Sequence, residues 1–166
     1  MTDTTVRRLT EDEWTTYRDL RLRALQESPD AFVKSYDEEK GYDEELWRAR
    51  MRRAARLIAT VDGEEVGILS MRPADEEFEE DAAEIFGLWV KADLRGAGVA
   101  LELFQSVVQV ARAAGHGHLV YWVGTDNGRG VAFASARGFR PSEQRRPMRG
   151  SSGDGEEEIA MVLSIN

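Results

Sequence analysis

The sequence predicts a mixed α/β fold organised around one sheet, and three observations carry that prediction. Short apolar stretches with strand character alternate with segments whose apolar residues recur at helical spacing. Asp62-Gly63 sits between two such stretches as a hairpin turn. An alternating strand from Glu84 runs through a glycine-rich turn into a long amphipathic helix ending at Gly115. Hairpins join antiparallel neighbours and strand–helix–strand crossovers join parallel ones, so a chain with both builds a mixed sheet. With 166 residues and 42% hydrophobic content, the chain is expected to form a single domain, residues 1–166, burying roughly two thirds of its unfolded surface.

The elements follow in order. Val6 to Leu9 is a first strand. Thr10 and Glu13 form a capping box that opens a helix through Trp14, Tyr17, Leu20, Leu22, Ala24 and Leu25, and Ser28-Pro29 stops it. A second helix opens near Asp43 and carries Leu46, Trp47, Arg50 and Met51. Arg56 to Val61 and Glu65 to Met71 form the hairpin, closed by Pro73, and an acidic loop over residues 75–81 leads to the strand Glu84 to Val90. The next helix keeps Ala100, Leu103, Phe104, Val107 and Ala111 on one face. Strand His118 to Gly124, a short helix Asn127 to Ala136, a strand near Phe139 to Glu143 and a last strand Glu158 to Ile165 complete the chain. Arg145 to Gly155, rich in glycine and serine, reads as a mobile loop.

Composition excludes several classes of function. A net charge of −9 without a basic stripe argues against nucleic acid. The absence of cysteine removes disulfides, thiolate catalysis and cysteine metal sites, and fits a cytoplasmic location. The N-terminus lacks a basic region followed by an apolar run, and no stretch reaches the length of a membrane span. His116 and His118 form a His-x-His pair without a third ligand in view, so no metal site is expected.

The turn Arg95-Gly96-Ala97-Gly98-Val99-Ala100 carries the chemistry. A glycine turn at the start of a helix presents backbone N–H groups at the positive end of the helix dipole, a cradle for a diphosphate. A P-loop would need Gly-Lys-Ser/Thr, which is absent, and a dinucleotide fingerprint would need glycine where Leu101 stands. What remains is Arg-x-x-Gly-x-Ala, met by Arg95, Gly98 and Ala100. This resembles the acetyl-coenzyme A loop of the GNAT superfamily of N-acetyltransferases. Leu88-Trp89-Val90, Asn127 followed eleven residues later by Gly138-Phe139, and Leu20-Arg21-Leu22-Arg23-Ala24-Leu25 resemble further blocks of that family.

The resemblance implies the GNAT acyl-CoA N-acyltransferase fold, a central, mostly antiparallel mixed sheet flanked by helices. It also implies acetyl-CoA as acyl donor. Main-chain groups of Leu88, Trp89 and Val90 would then meet the pantetheine arm and thioester carbonyl, and Gly96, Ala97, Gly98, Val99 and Ala100 the diphosphate, with Arg95 adding charge. Asn127 would bond the pantetheine arm, and Phe133 on the following helix joins the coenzyme contacts. Relatives are often dimers, so the resemblance leaves a homodimer open.

Acyl transfer to an amine needs a group to take the amine's proton. Alternation puts Glu84, Phe86, Leu88 and Val90 on one face, with Glu84 the charged member, and Glu84 lies eleven residues before Arg95. Histone-acetylating relatives carry their general-base glutamate at that offset. Many relatives carry a tyrosine that protonates the departing sulfur, and at that position stands Ala134, whose methyl has nothing to donate. Tyr121 on the neighbouring strand is an alternative donor, or a core residue. Trp47 and Tyr36 fall in the stretch that forms the acceptor pocket in relatives.

The sequence therefore points to an N-acetyltransferase moving an acetyl group from acetyl-CoA to a primary amine by direct attack in a ternary complex. The acceptor is expected to be a small molecule, and the acidity favours a cationic one. A protein N-terminus or lysine, and a non-catalytic acyl-CoA binding or sensing module, remain the alternatives.

Overall fold

The computed structural model describes residues 3–29, 32, 34–147 and 157–166. Strand β1 (Thr4–Arg8) leads through a short 3-10 turn into helix α1 (Trp14–Glu27), followed by α2 (Tyr36–Glu39) and α3 (Glu44–Arg53). Strands β2 (Ala55–Val61), β3 (Glu64–Pro73) and β4 (Ala82–Val90) precede α4 (Val99–Ala113). Strand β5 (His118–Gly124), helix α5 (Gly128–Ala136), β6 (Arg140–Pro147) and β7 (Glu157–Ser164) follow. The seven strands form one mixed sheet, in the order β1-β2-β3-β4-β5-β7-β6, flanked by helices. By contacts the chain divides into two compact units, Met1–Arg72 with Gly87–Val110 and Pro73–Phe86 with Ala111–Asn166.

In the first unit Glu13 reaches back to the Thr10 N–H at 3.1 Å, the capping box that the sequence spells out. Asp43 caps α3 by accepting from the Leu46 N–H at 2.9 Å. The β2–β3 hairpin turns through Asp62 (φ 50°) and Gly63 (φ 81°), two consecutive left-handed residues as a tight hairpin of this hand requires. Helices and strands meet in a core of Leu9, Tyr17, Leu20, Trp47, Ile58 and Trp89. Helix α4 buries Val99, Leu103, Phe104 and Val107, close to the face expected from its spacing. Gly67 on β3 makes this approach possible, because a Cβ there would meet Leu103 Cδ1 at 3.1 Å and the Trp89 carbonyl at 3.2 Å.

In the second unit β4 and β5 pair in parallel from Ala82–His118 to Ile85–Tyr121, and β5 pairs antiparallel with β7 along its whole length. Two expectations are corrected. Helix α2, a single turn capped by Ser35, is absent from the sequence reading. Arg145 to Pro147 belong to β6, where they pair with Ile159, Glu158 and Glu157 of β7, rather than to a loop. The sheet's last strand tolerates proline and charge because one of its edges is unpaired. The remainder of the expected loop, 148–155, lies outside the described residues.

Candidate active site

The end of β4 from Gly87, the turn and α4 as far as Val110 lie in the first unit. Strand β4 ends at Val90, a 3-10 turn over Ala92–Leu94 follows, and α4 begins at Val99. Between them Gly96 (φ 88°) and Gly98 (φ 89°) adopt left-handed backbone. Neither would bring a Cβ within 4 Å of another group, so glycine is required here for backbone direction, and the space beside it is open. Fifteen residues of α4 align their peptide dipoles behind this turn. Among the described residues, the Gly96 and Gly98 N–H groups donate to no backbone carbonyl, whereas the Ala97 N–H is bonded to Leu94 O at 3.1 Å. Of the N–H groups expected to form the cradle, that of Ala97 is thus engaged within the turn itself.

Arg95 is exposed but held. Its Nε donates to Val90 O at 3.1 Å and its Nη2 to Ser28 Oγ at 3.1 Å. The same hydroxyl accepts from Trp89 Nε1 at 3.2 Å, so Ser28 fixes both the strand end and the turn. The Trp89 side chain is thereby core, leaving its backbone for any ligand contact. Leu88 is half-buried and Val90 buried. Gly87, just before them, has φ 68°. Left-handed backbone interrupts the extended chain, so the expected single face of Glu84, Phe86, Leu88 and Val90 does not continue across it.

The remaining candidates lie in the second unit. Glu84 is buried, with 3% of its surface exposed, and is engaged rather than free. Asn127 caps α5 by accepting from the Gly130 N–H at 3.0 Å, and it is exposed. A Cβ at Gly130 would fall 2.6 Å from Asn127 Nδ2 and 2.8 Å from Val123 Cγ1, so a larger residue there would displace the cap. Phe133 is half-buried, with the Arg137 guanidinium 5.2 Å from its ring centre. Ala134 is fully buried, so it offers neither a proton nor a surface. Tyr121 packs edge-on against Phe139 at 6.2 Å, and burial raises its phenol above the ordinary value, which keeps its proton in place near neutral pH.

The acceptor-side expectations divide. Trp47 is 1% exposed, edge-on to Tyr17 and beneath the Arg50 guanidinium, so its side chain is core. Tyr36 does line one, a pocket of about 350 Å³ that includes Leu25, Pro29, Phe32 and Lys34. His118 Nδ1 lies 2.8 Å from Asp81 Oδ1, and among the described residues no group of three or more His, Cys, Asp or Glu could hold a metal. No helix of the described residues is long and apolar enough to cross a membrane.

Residues 7–139 match the acetyltransferase (GNAT) family. The chain belongs to that family. An uncharacterized N-acetyltransferase of Methanocaldococcus jannaschii is 24% identical over 143 residues, 84% of this chain. The chain spans 62% of that relative's length. An acetyltransferase of the GNAT family from Streptococcus pneumoniae superposes with a TM-score of 0.80 at 15% identity, covering 99% of this chain and all of its own. A Salmonella typhimurium protein assigned as an acetyltransferase and solved with its cofactor acetyl-CoA gives 0.72 at 16% identity, covering 98% of this chain and 94% of its own. The ribosomal-protein-alanine N-acetyltransferase of Brucella melitensis gives 0.73 at 21% identity, covering 96% and 99%. At these identities the likeness is one of fold. Membership and fold place the chain among GNAT acetyltransferases, one of which was solved with acetyl-CoA.

Proposed function

We propose that residues 1–166 form one catalytic domain that acetylates a primary amine of a small molecule, with acetyl-CoA as donor and direct attack in a ternary complex. The observation that carries this reading is the pair of left-handed glycines, Gly96 and Gly98, opening a fifteen-residue helix. Open space, unspent N–H groups and a helix dipole suit a pyrophosphate. Acetyl-CoA supplies an acyl group already activated as a thioester.

The chain's own residues have three tasks. The Gly96 and Gly98 N–H groups and the first turn of α4 receive the pyrophosphate, and Arg95, held by Val90 and Ser28, keeps that turn in register. Main-chain groups of Leu88 to Val90 orient the pantetheine arm and offer an N–H to the oxygen that becomes negative during attack. Glu84 takes the amine's proton through a water as the new C–N bond forms and the C–S bond breaks. Ala134 has no proton to give, so the sulfur leaves as thiolate and is protonated by water or by another donor such as Tyr121. Asn127 and Phe133 complete the coenzyme contacts.

Thiol release from acetyl-CoA against a panel of amines tests this reading. Release with at least one amine, lowered in Glu84→Gln at neutral pH without loss of coenzyme affinity, is the expected result. An equal rate across pH removes Glu84 from the base role. Binding without release from any amine indicates the acyl-CoA binding or sensing module that the methyl of Ala134 also permits.

A further inference from the structure

Arginines gather in the first unit around one buried carboxylate. Glu39 of α2 is fully buried. It accepts from Arg21 of α1 as a two-pronged pair, Nε at 3.1 Å and Nη2 at 2.9 Å, and from Arg50 Nη1 of α3 at 2.8 Å. Two guanidiniums therefore share one carboxylate. The Arg50 carbonyl accepts from Arg56 Nη2 at 3.0 Å, and Arg56 Nη1 donates to Ser70 Oγ at 2.9 Å. A Cβ on Gly87 would lie 3.9 Å from that hydroxyl. The cationic cluster thus reaches β4 at the residue immediately before Leu88, Trp89 and Val90, the segment assigned above to the acyl donor.

The cluster is neither neutral nor sealed. Burial pushes the Arg56 guanidinium down to about 10, and, against the opposing influence of Tyr17, the charges of Arg50, Arg21 and Arg53 push the same way. Arg21 and Arg50 each leave 13% of their side chains exposed. The Arg21 guanidinium stacks on the Phe32 ring, 4.5 Å from its centre, and Phe32, with Lys34, Tyr36 and Asp37, is a wall of the pocket of about 350 Å³, so Arg21 stands behind that ring rather than in the pocket wall. Planar guanidiniums with donors to spare, in partly desolvated surroundings, match a carboxylate in shape and charge. The same surroundings repel an amine that carries no anion.

We propose that the acceptor is a primary amine bearing a carboxylate, with the carboxylate read by Arg21 and Arg50 and the body of the molecule in the pocket that Phe32 walls. This rests on the acetyl-transfer reading and replaces the cationic acceptor that the chain's overall acidity suggested.

The test measures thiol release from acetyl-CoA with matched pairs of α-amino acids and their primary amides. The amide's amine is the less basic of each pair, so intrinsic reactivity at neutral pH favours the amide. The expected result is a kcat/KM at least about tenfold higher for the acid, the worth of one hydrogen bond to a charged group. Arg21→Lys keeps the charge and removes Nη1, the nitrogen that the Glu39 pair leaves unspent. It is expected to narrow the acid-to-amide ratio through KM while the circular dichroism spectrum is retained, and the wild-type ratio is decisive even where that variant fails to fold. Amides turned over as fast as acids, or peptide N-termini without a nearby carboxylate preferred to both, overturn the inference and leave acetyl transfer standing. Release from no amine at all overturns both.

Discussion

The Ser28 hydroxyl accepts a hydrogen bond from Arg95 Nη2 at 3.1 Å, tying the C-terminal cap of α1 to the turn that opens α4, 67 positions further on. Trp89 Nε1 donates to the same oxygen at 3.2 Å. Ser28→Ala removes one acceptor from two donors. It is expected to lower stability by about 1–2 kcal/mol, read by urea unfolding. Coenzyme affinity should fall as well, because the same hydroxyl steadies the Trp89 end of β4 and, through Arg95, the turn.

Gly98→Asp addresses the cradle itself. At φ 89° an L side chain costs about 1–2 kcal/mol, and a carboxylate at the turn opposes a pyrophosphate. Coenzyme A affinity should fall at least about tenfold, or ~1.4 kcal/mol, measured by calorimetry with the fold checked by circular dichroism. Undiminished affinity would remove the turn from the binding site.

Glu39 predicts how stability responds to acid. Burial alone would raise its carboxyl, but the hydrogen bonds and charges of Arg21, then Arg50, outweigh it and hold the group below its ordinary 4.5. The folded chain therefore binds this proton at lower pH than the unfolded chain does. The stability Glu39 contributes is complete above pH 4.5 and is lost as pH falls through the folded value. Glu39→Gln should cost about 3–5 kcal/mol at pH 7, since it leaves two arginines around a neutral group. The variant should also lose less stability than the parent as pH falls below 4.5 in urea titrations. Parallel losses would contradict this role for the pair.

What could be read from the sequence was local. The capping box at Thr10 and Glu13, the Asp62-Gly63 turn and the strand His118 to Gly124 each depend on residues within a few positions of one another, and each appears in the structure. The glycine turn was legible for the same reason. Long-range features were not. Arg21, Glu39 and Arg50 sit on three different helices, and charged residues at helical spacing ordinarily mark a solvated face. Ser35 and Glu38 did carry a capping signal for α2, with Ser35 Oγ accepting from the Glu38 N–H at 3.2 Å, but a single turn lacks the repeated period that identifies a helix. Gly87 was a visible sign that the alternation of β4 would break, since glycine inside a strand often marks a bulge. Glu84 is buried because β4 is covered around it, which period-two counting does not report.

The central claim is that main-chain donors around Gly96 and Gly98 bind the pyrophosphate of an acyl-CoA whose pantetheine arm continues along Leu88 to Val90. Calorimetric titration of the same protein with coenzyme A and with ADP tests it most directly. The account predicts that coenzyme A binds at least about tenfold more tightly, through the pantetheine arm together with the 3′-phosphate that ADP lacks. ADP binding as tightly as coenzyme A would contradict it and mark a nucleotide site without acyl chemistry.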